Sequence, residues 1–370
     1  MQTAHVYLDW NATTPIHPDV IEEMTECARK CWGNPSSVHW YGRLARERIE
    51  QARAELGQYF GAHPRDVLFV SGGTEANNLA LLDAPALVTS LLEHPSVTHA
   101  ARELVRRGRV VRWLKINASG TIDVASLAEC LEGMPPGTVV AVQAVNHETG
   151  VIQPLPEVAE ITRNRNAWLH VDSVQALGCL PPDTFAQGDS FSIAAHKIRG
   201  PKGIGALLWR CGRRAPTPLF FGGSQQRGLR PGTPDPVACV GFHAAFRGAM
   251  KKLGERNRLT AMRDRLELQV RSCAETNTGA APRVGHVSSL FVPGWRGDEL
   301  VAALDVEGIC VSSGSACSAG TAEPSPVILA MHGPERALGT IRISIGECTT
   351  DSDVDRACSA LQRITSRSSV

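Results

Sequence analysis

The chain has 370 residues, 38 basic against 37 acidic, and a formal net charge of +1. That balance excludes a general nucleic-acid binder, which carries a strong basic excess. No apolar run reaches the roughly 20 residues of a membrane span, and Met1 to Trp10 lacks the basic and apolar regions of a signal peptide.

Short apolar runs rich in β-branched residues alternate with amphipathic stretches. The spacing of Ala45, Ile49, Ala52, Leu56 and Phe60 predicts a helix over 43–60. Strands are expected at 66–71, 86–91, 110–114, 138–145, 168–172, 190–195 and 205–209, with helices at 95–107, 123–133 and 154–164. Such alternation implies crossover connections, hence an α/β fold with a mostly parallel sheet covered on both faces. From about residue 236 the pattern changes. A long helical region at 236–276 precedes strands at 287–292, 309–313 and 340–345 and helices at 296–307 and 351–365. These predict a second, smaller α/β domain, with the N-terminal dozen residues beside it. The Arg-rich stretch 102–112 reads as a solvated helix face and turn.

Four segments carry chemistry. Ser71-Gly72-Gly73-Thr74-Glu75-Ala76-Asn77-Asn78 follows a strand and opens a helix, whose free N–H groups favour an anion such as phosphate. An ordinary capped helix fits it equally well. Lys197, one of only six lysines, emerges from an apolar strand end in Ala194-Ala195-His196-Lys197. A desolvated lysine there suits Schiff-base chemistry; one that snorkels to the surface is the bland alternative. Asp172 ends a buried strand, where a buried carboxylate needs a cation or several donors, or simply caps a helix. Cys317 lies in Ser313-Gly314-Ser315-Ala316-Cys317-Ser318-Ala319-Gly320, where every other residue is Gly, Ala or Ser. That run lacks core side chains and displays the thiol. It stands apart from the other ten of the 11 cysteines, which are scattered without a C-x-x-C pair. Their pattern points to a reducing, cytoplasmic setting and to small buried hydrophobes, with no metal site. His94 follows the strand at 86–91, and Arg342 lies in an apolar strand, where it would hold a carboxylate bidentately.

In this order and spacing the segments resemble a cysteine desulfurase of the NifS/IscS type, a pyridoxal phosphate (PLP) enzyme of fold type I. The match runs from Tyr7-Leu8-Asp9-Trp10-Asn11-Ala12-Thr13-Thr14-Pro15 and Gly33-Asn34-Pro35-Ser36-Ser37 to Ile341-Arg342-Ile343-Ser344-Ile345-Gly346. The resemblance implies a large PLP-binding domain over 15–250, and a small domain over 1–14 and 251–370 that carries the cysteine loop. It implies Lys197 as Schiff-base lysine, Asp172 against the pyridine nitrogen and Gln175 at the ring oxygen. His94 would stack on the ring and help proton transfer. Gly73, Thr74 and His196 would hold the phosphate, with Asn146 and His147 near the cofactor. Asn34 and Arg342 would bind the carboxylate of L-cysteine, and Cys317 would take the sulfur as a persulfide. Thr233 would reach the phosphate of the partner subunit, so a homodimer is implied, together with a sulfur-acceptor protein such as one serving iron–sulfur assembly. A selenocysteine lyase, another β-eliminating PLP enzyme and a weakly active docking protein are the alternatives.

Two departures stand out. His147 occupies the position where the family has a second Asn in Asn-Asn-Glu-x-Gly. Ala194 stands where a Ser hydroxyl usually touches the phosphate.

Overall fold

A computed structural model describes residues 5–210, 215–314 and 324–366. After a short strand β1 (Val6–Tyr7) come seven that build the central sheet: β2 (Val67–Val70), β3 (Ala86–Thr89), β4 (Val110–Trp113), β5 (Val139–Gln143), β6 (Trp168–Asp172), β7 (Ser190–Ala194) and β8 (Gly205–Trp209). Across the sheet they run β4-β3-β5-β6-β7-β8-β2. Neighbours from β4 to β7 are parallel, while β8 is antiparallel to both β7 and β2. The expected mostly parallel sheet thus contains one reversed strand. Its reversal follows from the connection: only residues 195–204 join β7 to β8, too few for a crossover. Lys197 sits in that tight return.

The central strands are apolar on both sides because helices cover both faces. Successive side chains of a strand point opposite ways. Val88 and Val140 join Ile49, Leu56 and Phe60 in one core, whereas their neighbours Leu87 and Val139 join Leu81, Val97 and Leu104 in another.

The helix Pro18–Lys30 has no counterpart among the expected elements; it packs on the helix Pro236–Lys251. Its local signal is His17-Pro18. The His17 ring accepts from the Asp19 N–H at 3.3 Å, and Pro occupies the first helical position, where its missing N–H costs nothing. The same His-Pro device opens the helix Pro95–Arg106 at His94.

The expected long helix at 236–276 is three pieces. Pro236–Lys251 ends, Leu253–Glu255 makes one tight turn through Gly254, and Arg256–Val270 follows. Residues Glu275–Thr276 form strand β9 instead, pairing with β10 (Val287–Phe291), which also pairs with the last strand of the chain, Thr340–Ser344. The strand expected at 309–313 is cut to β11 (Ile309–Cys310), parallel to β1. Beyond it the backbone changes partner: Ser312 exchanges both hydrogen bonds with Arg342 of the last strand, β12 (Thr340–Ser344). Val6 and Leu8 bury with Met262, Leu304, Ile341 and Leu361 in a core separate from that of the central sheet.

The expectation that most thiols are buried needs correction. Of the nine cysteines described, Cys27, Cys31, Cys239 and Cys358 are buried; Cys130, Cys179, Cys273 and Cys310 are half-buried, and Cys348 is exposed. All nine are free.

Candidate active site

A cavity of about 240 Å³ opens at the C-terminal ends of β5, β6 and β7, marked by Gln143, Asp172 and Ala194. This is where open α/β sheets receive ligands. Into it the fold brings Gly73, Thr74, His94, His147, Asp172, Gln175, His196, Lys197 and Arg342. Each arrives for a local reason. Gly73 and Thr74 begin the helix Gly73–Leu81, and a Cβ on Gly73 would lie 2.6 Å from Val174 Cγ2. Only glycine lets the helix start approach the Asp172–Gln175 turn so closely.

Lys197 Nζ donates to the carbonyls of Asn11 at 2.6 Å and Ala12 at 2.9 Å. The N-terminal segment therefore orients it. Gln175 Nε2 donates to the same Asn11 carbonyl at 3.1 Å. Asp172 accepts from Asn77 Nδ2 at 2.8 Å and from the Val174 N–H at 3.0 Å. Its burial raises the carboxyl pKa, which those two donors oppose.

His94 accepts at Nδ1 from the Ser96 N–H at 3.1 Å, and its ring meets that of His147 edge-on with centroids 5.2 Å apart. Burial first, then the charges of His147 and Lys197, push the His94 pKa down to about 3. His196 is lowered to about 4, again chiefly by burial, and its Nδ1 lies 3.1 Å from Thr13 Oγ1. Neighbouring Glu93, fully enclosed, has its carboxyl pKa raised well above the usual range by desolvation.

Arg342 is 2% exposed. It forms an ion pair with Asp9 at 2.8 Å and donates to the carbonyls of His147 at 2.9 Å and Gly314 at 3.0 Å. Its buried Nε–H has no partner among the described residues.

Three expected site residues do not line this cavity. Asn146 is buried behind it, donating to the Leu92 carbonyl at 2.9 Å and accepting from Glu148, Thr149 and the Thr149 hydroxyl. It shapes the turn that presents His147. Asn34 is exposed, its side-chain oxygen accepting from the Ser36 N–H at 2.9 Å. Thr233 is also exposed. Cys317 lies outside the described residues. Conversely, Asn11, Asn77, Ser96 and Gln143 line the cavity without having been expected to. Asn11 and Asn77 stood inside quoted motifs and Ser96 closes the run Leu92-Glu93-His94-Pro95-Ser96, so their signal was present; Gln143 carried none.

The residues fit pyridoxal phosphate. The first-turn N–H groups of Gly73–Leu81 receive no side-chain cap and face the cavity, as a phosphate requires. The buried Asp172 carboxylate suits a protonated pyridine nitrogen, and Lys197 stands across the same space.

The class-V aminotransferase family matches residues 6–357. An IscS-like cysteine desulfurase of Mycobacterium tuberculosis is 39% identical, covering 96% of this chain and 95% of that protein. Among solved structures, a NifS-like protein superposes with a TM-score of 0.88 at 30% identity over 98% of this chain and 100% of its own. SspA in complex with cysteine does so with 0.77 at 28%, covering 92% and 98%. From the geometry and these likenesses together, the chain belongs to the class-V aminotransferases, pyridoxal phosphate enzymes, and within them to the cysteine desulfurases.

Proposed function

We propose that the chain converts L-cysteine to L-alanine and keeps the sulfur as a persulfide on Cys317. The observation that carries this is the meeting of Lys197, Asp172, His94 and the uncapped helix start at Gly73 in one cavity. Pyridoxal phosphate, when bound, supplies an electron-withdrawing ring that labilises bonds at the substrate's α- and β-carbons. Asp172, kept aimed by Asn77 and Val174, would hold a proton on the ring nitrogen through its own charge. Lys197 moves protons at Nζ, within reach of the Asn11 and Ala12 carbonyls that orient it. Arg342, which lines the cavity while paired with Asp9, would hold the substrate carboxylate. The Cys317 thiolate takes the substrate's sulfur: the C–S bond breaks, an S–S bond forms, and the β-carbon gains a proton to become the methyl of alanine.

Asn34 and Thr233 are exposed in their own chain. We assign them to a homodimer in which Thr233 reaches the phosphate of the partner's site, a role for Asn34 also requiring that neighbour. Residues 15–250 would be the cofactor-binding domain, and 1–14 with 251–370 the domain bearing the cysteine loop. The shared core of Val6, Leu8 and Met262 supports that division. The free cysteines support a reducing cytoplasmic setting, and a sulfur-acceptor protein, of iron–sulfur assembly or another pathway, would empty Cys317.

The test is colour and product. The purified protein should be yellow, release alanine from L-cysteine, and lose its visible band in Lys197→Ala. A colourless protein that pyridoxal phosphate cannot reconstitute would sink the proposal.

A further inference from the structure

In the cavity wall and behind it lies a connected set of polar groups, of which the reaction above uses Asp172, His94 and the aim that Asn77 gives Asp172. Asn77, 1% exposed, is its centre. Its Nδ2 donates to Asp172 Oδ2 at 2.8 Å and to Ser96 Oγ at 2.8 Å, and its Oδ1 faces His170 Nε2 at 3.0 Å. Ser96 Oγ in turn lies 2.8 Å from His94 Nδ1. His170 Nδ1 lies 2.8 Å from Ser190 Oγ, and its Nε2 also lies 3.1 Å from Ser192 Oγ, which accepts from it when Nε2 carries the proton.

These distances admit one arrangement of protons when Asp172 is ionised. Two oxygens cannot face each other without a proton, so Asn77 must turn its NH₂ group to Asp172 and Ser96. Its carbonyl oxygen then needs a donor, which is His170 Nε2–H. His170 has one proton to give, because burial lowers its pKa to about 3 and keeps the ring neutral. Its Nδ1 therefore accepts from Ser190. At the other end, Ser96 has received a proton from Asn77 and gives its own to His94 Nδ1, which already accepts the Ser96 N–H. The His94 proton is thus on Nε2, the ring nitrogen not tied to Ser96.

We propose that Asn77 is a positioning residue that couples Asp172 to His94 through Ser96, holding Asp172 as a hydrogen-bonded carboxylate and His94 as the Nε2–H tautomer. This rests on the proposed reaction. His94 then meets the reacting groups as a proton donor at Nε2, and Lys197 is left as the group that removes the α-proton. The other titratable groups facing this set are His147 and Lys197, which act electrostatically on both Asp172 and His94, Glu93 beside Asp172, and His99 beside His94.

Asn77→Asp tests it, read on the holoenzyme without substrate. The new carboxylate keeps an acceptor for His170, faces Asp172 with no donor and draws the Ser96 hydroxyl proton away from His94. The visible cofactor band should then depend on pH more strongly than that of the wild type, because the two carboxylates must share a proton. Nitrogen-15 shifts should show His94 Nδ1 as a weaker acceptor than in the wild type, the Ser96 N–H being its one remaining donor in this set. With L-cysteine, kcat should fall about 10- to 100-fold with KM little changed. Ser96→Ala provides the second arm: it cuts the hydroxyl link to His94 alone, so the band keeps the wild-type pH dependence while the same His94 Nδ1 shift appears and kcat falls. A wild-type band or a wild-type His94 Nδ1 shift in either variant's affected readout overturns the coupling, including where Asn77→Asp fails to take up cofactor and Ser96→Ala alone reports. A wild-type enzyme that releases no alanine from L-cysteine would instead sink the proposed reaction, leaving the band and the His94 shifts to judge Asn77.

Discussion

Gly73→Ala isolates the close approach on which the proposed phosphate site would depend. The added Cβ would meet Val174 Cγ2 at 2.6 Å, about 0.8 Å short of the 3.4 Å at which such contacts become ordinary. Two effects oppose each other. Alanine in a helix is favoured over glycine by up to about 1 kcal/mol. Overpacking of this size costs about 1–3 kcal/mol. Val174 is attached to the Asp172 turn, whose backbone is fixed by the Val174 N–H to Asp172 and by Ser173 N–H to the Ser192 carbonyl. The helix start is the freer side, so it should move back from the cavity. We expect a net loss of about 1–2 kcal/mol in urea unfolding of the apo-protein. Because the N–H groups retreat from the phosphate, affinity for pyridoxal phosphate should fall about tenfold or more. The decisive measurement is the double-mutant cycle with Val174→Ala, which removes the offending methyl. Gly73→Ala should cost far less in that background, with a coupling of at least about 1 kcal/mol in both unfolding and cofactor titration. Additive effects, or a Gly73→Ala protein with wild-type cofactor affinity, would refute the steric account.

Three further outcomes are expected. His170→Gln keeps a donor toward Asn77 but cannot titrate. Unfolded histidine takes up a proton near pH 6.5 while buried His170 does not until about 3, so wild-type stability is fully present above pH 6.5 and is lost on acidification. The loss from this group should reach about 2 kcal/mol by pH 5; equal pH slopes of the urea midpoint in wild type and variant would contradict it. Asp9→Asn leaves the Arg342 guanidinium buried without its ion-pair partner, and should cost about 3 kcal/mol in denaturant unfolding. Cys317→Ser should keep the visible band and abolish both the gain of one sulfur atom by intact mass and alanine release from L-cysteine; wild-type turnover would exclude a persulfide on that residue.

Much of the fold was written locally in the sequence. Strands such as Trp168–Asp172 and Gly205–Trp209 match their expected limits, because each is an apolar run cut off by turn residues. What periodicity could not show was direction and partner. Nothing in the composition of β8 marks it as the reversed strand; that follows from the short return through Lys197. Nor could residues 309–313 reveal that Ser312 leaves β1 and pairs with Arg342, since the choice belongs to two strands distant in sequence. The histidines show the same limit. His17, His63 and His94 each precede a proline and each cap a helix through Nδ1. One local rule thus builds all three, and only the sheet decides that His94 alone of them lines the cavity.

The two departures from the family pattern become intelligible when backbone and side chain are separated. At position 147 the carbonyl oxygen is the architectural part. It accepts from Asn11 Nδ2 at 2.6 Å and from Arg342 Nη1 at 2.9 Å, and so ties the N-terminal segment and β12 to the β5 turn. Any residue with a carbonyl serves there, provided Asn146 holds the turn, which it does with four hydrogen bonds of its own. The side chain is thereby released to vary, and here it places a second imidazole 5.2 Å from His94. Ala194 follows the same logic. Its backbone pairs with Gly205 in the β7–β8 ladder, and its side chain only lines the cavity. Losing a hydroxyl at 194 therefore removes one contact available to a phosphate without disturbing the return that carries Lys197. The positions that cannot vary so freely are Asn11 and Asn77, where the side chain itself is the tie, and Gly73, where the lack of one admits the close approach to Val174.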